Sequence, residues 1–196
     1  MKLKILELKS IISILLGLMF ISTAFLGYWG NFQYIYELTF LSNLATGLFL
    51  LITTRLARKG KAIPQILYLD FTLLLFMVFL ICIAFINEFN FTGAIFFLHI
   101  VNPLMLIGYL FIFIDLSTIN NFLHVLTVMI IPFAYLMFAV IYGSITGNYI
   151  YFFLNYKEKG IVYSLTFILI VSICLVAIGY AFFFINRLFH MRKNKL

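Results

Sequence analysis

Six apolar runs, each long enough to cross a hydrocarbon core as a helix, decide what this chain can fold into. They cover approximately Ile11 to Tyr28, Leu38 to Thr54, Ile66 to Ile86, Ala94 to Ile114, Phe122 to Tyr142 and Ile161 to Ile185. A spanning helix needs about 17 to 25 predominantly apolar residues, and in lipid only helices or closed barrels satisfy their own backbone. The chain is 65% hydrophobic and 10% charged, with a mean hydropathy of +1.18. Soluble domains run at roughly 45 to 50% apolar and about 25% charged, so no water-soluble fold hides this much apolar surface. The expected fold is all-α: a polytopic membrane protein, one bundle of six transmembrane helices. Loops are short and neither linker nor repeat is visible, so residues 1–196 read as a single domain.

Lys2, Lys4 and Lys9 precede the first run, as in a signal peptide, but the run exceeds the usual apolar region of about 7 to 15 residues. No A-x-A pattern follows it, and it reads as a retained first span.

The formal charge of +7 is grouped by topology. Lys2, Lys4 and Lys9 precede span one; Arg55, Arg58, Lys59 and Lys61 fill the loop after span two; Arg187, Arg192, Lys193 and Lys195 follow span six. Only Lys157 and Lys159 fall on the other side, eleven cations against two. The positive-inside rule then places both termini in the cytoplasm of a multi-pass cell-membrane protein, and a nucleic-acid partner has no footing. Cys82 and Cys174 form no ligand-spaced set and read as small packing residues.

Polar residues inside spans are few, which makes them informative. Thr39, Ser42, Asn43 and Thr46 recur at i, i+3, i+4 and i+7, on one face of span two. In span four His99 lies about five residues from the start, with Asn102 at i+3 and Pro103 at i+4. An ionisable side chain at membrane depth implies a partner or a task. Pro103 lacks the N–H that would bond the His99 carbonyl, which predicts a bend there. Span five carries Thr127, Ile131 and Tyr135 on one stripe, with a second break at Pro132. Thr39 and His99 both fall within one or two turns of the outer boundary, so contact between them is possible.

Interhelical packing accounts for hydroxyl and amide stripes in general. The chemical reading is that a threonine hydroxyl, feeble until a base takes its proton, is served by a histidine, with an amide from Asn43 or Asn102 holding a developing oxyanion. That inventory fits acyl transfer or ester hydrolysis, with no carboxylate third member evident. His124 reads as interfacial, His190 as solvated in a basic tail, and Asp70 and Asp115 as headgroup-level or capping residues at inner helix ends. Tyr28, Trp29, Tyr34 and Tyr36, and Tyr149, Tyr151, Tyr156 and Tyr163, gather at the outer end, either as an interfacial belt or as a lid over the polar site. No H-E-x-x-H, G-x-S-x-G or phosphate-binding loop is present, so metal, nucleotide and hydrolase-elbow readings lack residues, and no cofactor is expected.

Four segments, Thr39-Phe-Leu-Ser42-Asn43, His99-Ile-Val-Asn-Pro103, Pro132-Phe-Ala-Tyr135 and Thr146-Gly147-Asn-Tyr-Ile-Tyr151-Phe-Phe-Leu154, occur in order. They resemble the bacterial Pr6Pr membrane proteins, distantly similar to the animal androgen-induced and androgen-dependent TFPI-regulating proteins. The resemblance implies a six-span bundle and, from the animal proteins, an intramembrane threonine hydrolase of fatty acid esters. By position Thr39 would be the nucleophile and His99 the base, with Ser42, Asn43, Asn102, Tyr135 and Tyr151 as substrate-binding or oxyanion candidates. The chain departs from the animal pattern at Ser42, where those proteins carry an acid, and at Phe152, where they carry proline. It also has one residue fewer between His99 and Pro103, and Gly108 and Tyr109 near the place of a further acid. Two other functions fit the composition: a small transporter, whose ionisable groups would be Asp70 and Asp115, and a non-catalytic assembly protein, sensitive to bulk at Gly17 or Ala45.

Overall fold

A computed structural model describes residues 2–88 and 91–193, with side chains from 6 to 87 and from 91 to 192. Lys2, Lys4, Lys193 and Lys195, counted above in the basic ends, lie outside the described side chains. Six helices are long and apolar enough to cross a membrane: α1 (Lys2–Gly27), α2 (Leu38–Arg58), α3 (Ile66–Ala84), α4 (Ala94–Phe113), α5 (Phe122–Thr146) and α6 (Ile161–Lys193). No strand occurs among the described residues. Several helices outrun their apolar stretches, α2 by a turn that carries Arg55 and Arg58. Basic residues are good helix formers, and they suit the negative end of the helix dipole.

α3 is the centre of the bundle, 56% of its spanning window being buried against 17% for α6. Leu69, Leu73, Leu74 and Leu75 of α3 meet Leu106 and Leu110 of α4, Val125 and Val128 of α5 and Phe183 of α6 in one core. The outer surface is apolar as well: Leu15, Ile52, Ile112, Phe133 and Leu169 all point away from the protein. Such a surface suits lipid rather than water.

α1 and α2 approach through two glycines. A Cβ on Gly47 would lie 2.7 Å from the Gly17 carbonyl oxygen, and one on Gly17 would lie 3.0 Å from that of Gly47. Small residues allow this in membrane helices, where packing replaces the hydrophobic drive. The exposed Ala45 has no part in it, so Gly47, not Ala45, is the partner of Gly17.

Two prolines leave visible marks. Pro103 stands just after a π-helical turn at Phe97–Val101, in which the Asn102 N–H donates to the Phe97 carbonyl five residues back. Pro132 sits in the first turn of the α-helical part of α5, which a 3-10 segment, Phe122–Met129, precedes. Both helices change their winding where a backbone donor is missing.

Three expectations need correction. His190 is buried, its Nε2 3.1 Å from the Phe111 carbonyl. Asn186 beside it is fully buried, donates to the Leu110 and Ile114 carbonyls and accepts from Leu116 N–H. Together they fasten the end of α6 to the end of α4. Asp70 is 6% exposed and accepts from Thr127 Oγ1 at 2.9 Å, so it crosslinks α3 to α5 and caps no helix among the described residues. Cys174 is exposed on α6, whereas Cys82 packs in the interior. Asp115 does cap a short helix, accepting from Ser117 N–H.

Candidate active site

Thr39 is the second residue of α2, and His99 lies in the middle of the π turn of α4. Thr39 Oγ1 and His99 Nε2 are 3.2 Å apart, and both residues are buried. The other ring nitrogen, Nδ1, is 2.9 Å from the Ile95 carbonyl oxygen. A carbonyl only accepts, so Nδ1 carries the proton and the Nε2 lone pair faces the threonine hydroxyl. This is the relation of a nucleophile to its general base, with a backbone carbonyl in the orienting place that a carboxylate often takes.

The pair opens on a cavity of about 470 Å³. Tyr28, Tyr34 and Glu37 line it from the α1–α2 connection, Val78 and Ile81 from α3 and Phe85 from just past its end, and Tyr151 and Phe153 from the α5–α6 connection. It lies at the end of the bundle away from both termini. Its size is that of a small-molecule site, and its walls are chiefly apolar with a few convergent polar groups.

The start of α2 adds a second element. Its first turn has no side-chain cap. Leu38 N–H donates to the Tyr151 hydroxyl at 3.1 Å and Leu41 N–H to the Glu37 carbonyl at 3.1 Å. Among the described residues, nothing accepts from the N–H groups of Thr39 or Phe40. Free N–H groups at the positive end of a helix dipole stabilise negative charge, here immediately beside the Thr39 hydroxyl.

Glu37 is a carboxylate at this level that the sequence reading missed. Its Oε2 accepts from the Tyr28 hydroxyl at 2.6 Å. Burial pushes the Glu37 carboxyl above its ordinary range, and the Tyr28 bond pulls part of the way back. Burial and then the charge of Glu37 push the Tyr28 phenol upward, so it stays a donor. Burial, then Tyr135, raises Tyr151 well above its ordinary value. The signal available in the sequence was position: an acid directly before a span, facing a run of tyrosines.

The amides do not serve the dyad. Asn102 Nδ2 donates to Asn43 Oδ1 at 2.7 Å and to Thr23 Oγ1 at 2.8 Å. Asn43 Nδ2 donates to the carbonyls of Thr39 at 2.8 Å and Leu98 at 3.4 Å. Both amides are spent in joining α1, α2 and α4 one turn deeper, so neither holds an oxyanion. Ser42 donates to the Thr39 carbonyl, and Thr46 is fully buried with an unpartnered hydroxyl. Tyr135 donates to the Tyr36 carbonyl and is outside the cavity wall; Tyr151 is in it. The aromatic residues divide likewise: Tyr28, Tyr34 and Tyr151 enclose the cavity, while Trp29 and Tyr163 face outward. No three metal-binding side chains gather among the described residues.

Comparison with family models, curated proteins and solved structures finds no match to this chain.

Proposed function

We propose that this protein is an intramembrane hydrolase of fatty-acyl esters that uses Thr39 as nucleophile and His99 as base. The observation that carries the reading is the 3.2 Å approach of Thr39 Oγ1 to an Nε2 left unprotonated by the Nδ1 bond to Ile95. In the first step Nε2 takes the hydroxyl proton as Oγ1 attacks the ester carbonyl. The oxyanion develops against the Thr39 and Phe40 N–H groups, where each donor is worth about 2.7 to 4 kcal/mol by analogy with other oxyanion sites. His99 then returns the proton to the departing alcohol, leaving an acyl-threonine. Water, deprotonated by the same nitrogen, attacks the acyl carbonyl, releases the fatty acid and restores the hydroxyl. The apolar wall from Val78 to Phe85 accommodates an acyl chain.

The resemblance to Pr6Pr proteins, and through them to the animal threonine hydrolases, supports the same assignment. The charge asymmetry of the sequence supports a cell-membrane protein with cytoplasmic termini, an orientation in which the cavity opens toward the outer leaflet. The transporter reading rests on Asp70, which lines neither of the two large cavities and is already paired with Thr127.

The test uses purified protein with a fluorophosphonate probe and with medium-chain and long-chain fatty-acyl esters in mixed micelles. Wild type labels and hydrolyses; Thr39→Ala and His99→Ala do neither; Thr39→Ser keeps part of the activity. Equal labelling and turnover in all four removes the dyad.

A further inference from the structure

At the opposite end of the bundle, the first turns of α1, the last turns of α2 and the connection to α3 enclose a second cavity of about 820 Å³. Lys9, Arg58 and Lys61 reach its wall, against one acid, Glu7. None of the three cations forms an ion pair among the described residues, where the ion pair found is Lys159 with Glu158. Lys9 is half-buried and held 5.6 Å over the ring of Tyr68. The Oε1 of Gln65, on the same wall, is a buried acceptor without a partner, which a hydroxyl of a bound ester, not its phosphate oxygens, would meet. A cation partly withdrawn from water without an ion-pair partner, as Lys9 is, is costly unless an anion joins it, and Arg58 and Lys61 stand exposed on the same wall. Below the cations the wall becomes apolar and aromatic, through Ile11, Ile63, Tyr68 and Tyr109.

We propose that this basic cavity binds a phosphate-ester anion between Lys9, Arg58 and Lys61. A phosphate ester offers two non-bridging oxygens as a diester and three as a monoester, each able to accept more than one hydrogen bond, to a guanidinium fork and two ammonium groups, and basic pockets between spanning helices suit lipid headgroups. The apolar lower wall gives a chain attached to that phosphate somewhere to lie. This site is independent of the ester-hydrolase reading, because no residue is shared between the two cavities.

The experiment titrates full-length protein in zwitterionic detergent with phosphatidylglycerol, phosphatidylcholine or glycerol phosphate, with bound ligand read by native mass spectrometry. Phosphatidylglycerol is retained over phosphatidylcholine. Each cation removed weakens it by about fivefold, so Lys9→Gln, Arg58→Gln and Lys61→Gln together cost about 100-fold. Should the triple variant fail to fold, the exposed pair Arg58→Gln and Lys61→Gln alone loses about 25-fold. Lys157→Gln with Lys159→Gln, the same charge change at the other end, leaves binding unchanged. Glycerol phosphate bound with the same sensitivity assigns the site to a soluble ester; glycerol phosphate ignored assigns it to a lipid. Equal retention of both lipids with no binding of glycerol phosphate, or unchanged binding in the folded variants, overturns the proposal.

Discussion

Thr39 with His99, and Asn43 with Asn102, are two polar pairs on the same two helices, one turn apart, and they do opposite things. In the deeper pair both amides donate to neighbours, Asn102 to Asn43 and Thr23 and Asn43 to two backbone carbonyls. The outer pair borders open space and keeps a hydroxyl proton facing a lone pair. Polar residues in a membrane bundle serve as glue where their hydrogen bonds close on protein, and stay available to a ligand where one atom faces a cavity.

Removing each pair in turn separates their roles. Thr39→Ala or His99→Ala lowers ester turnover by about 10³-fold, within the range for loss of a positioned base, while the melting temperature in detergent stays within a few degrees. A loss of folding in place of a loss of turnover would make the outer pair glue too. Next in size, Gly47→Leu drives a side chain into the Gly17 carbonyl and costs about 3 kcal/mol of stability, at the upper end of overpacking. Urea unfolding in mixed micelles measures it. Asn102→Leu strands Asn43 Oδ1 and Thr23, costing about 2 kcal/mol; turnover per folded molecule persists, which separates glue from chemistry.

The smallest effect concerns Glu37. A carboxyl raised by burial favours its protonated form in the folded state, so its contribution is present at acid pH. That contribution is lost as pH rises from the ordinary carboxyl value through the raised one. Glu37→Gln removes this decline, and melting curves from pH 4 to 8 show a flatter slope than wild type.

Much of the architecture was legible because hydropathy reports helix length directly: each of the six runs falls on one of the six long helices, though α1 begins and α6 ends more than two turns beyond its run. That Thr39 and His99 lie near the same end of the bundle was legible from the same count. What the amides bond to was not, since Asn43 and Asn102 have the same spacing whether they face a cavity or each other. Glu37 and Tyr28 escaped because they lie in a connection without periodicity, and their meeting depends on how α1 turns into α2. The burial of Asp70 and His190 depended on which neighbours stood opposite, Thr127 and the Phe111 carbonyl. The free N–H groups of Thr39 and Phe40 belong to the backbone, which no residue type announces.

The π turn at Phe97–Val101 sets the compass bearing of His99. An α-helix advances about 100° per residue, and the wide turn inserts one extra residue between the ring and the well-packed segment from Asn102 to Phe113. The imidazole is thus aimed by a local miscount in the winding and not by the seating of the helix below. Deleting Ile100 would let α4 wind evenly and swing the ring about a quarter-turn off Thr39, disarming the pair while every other span kept its place.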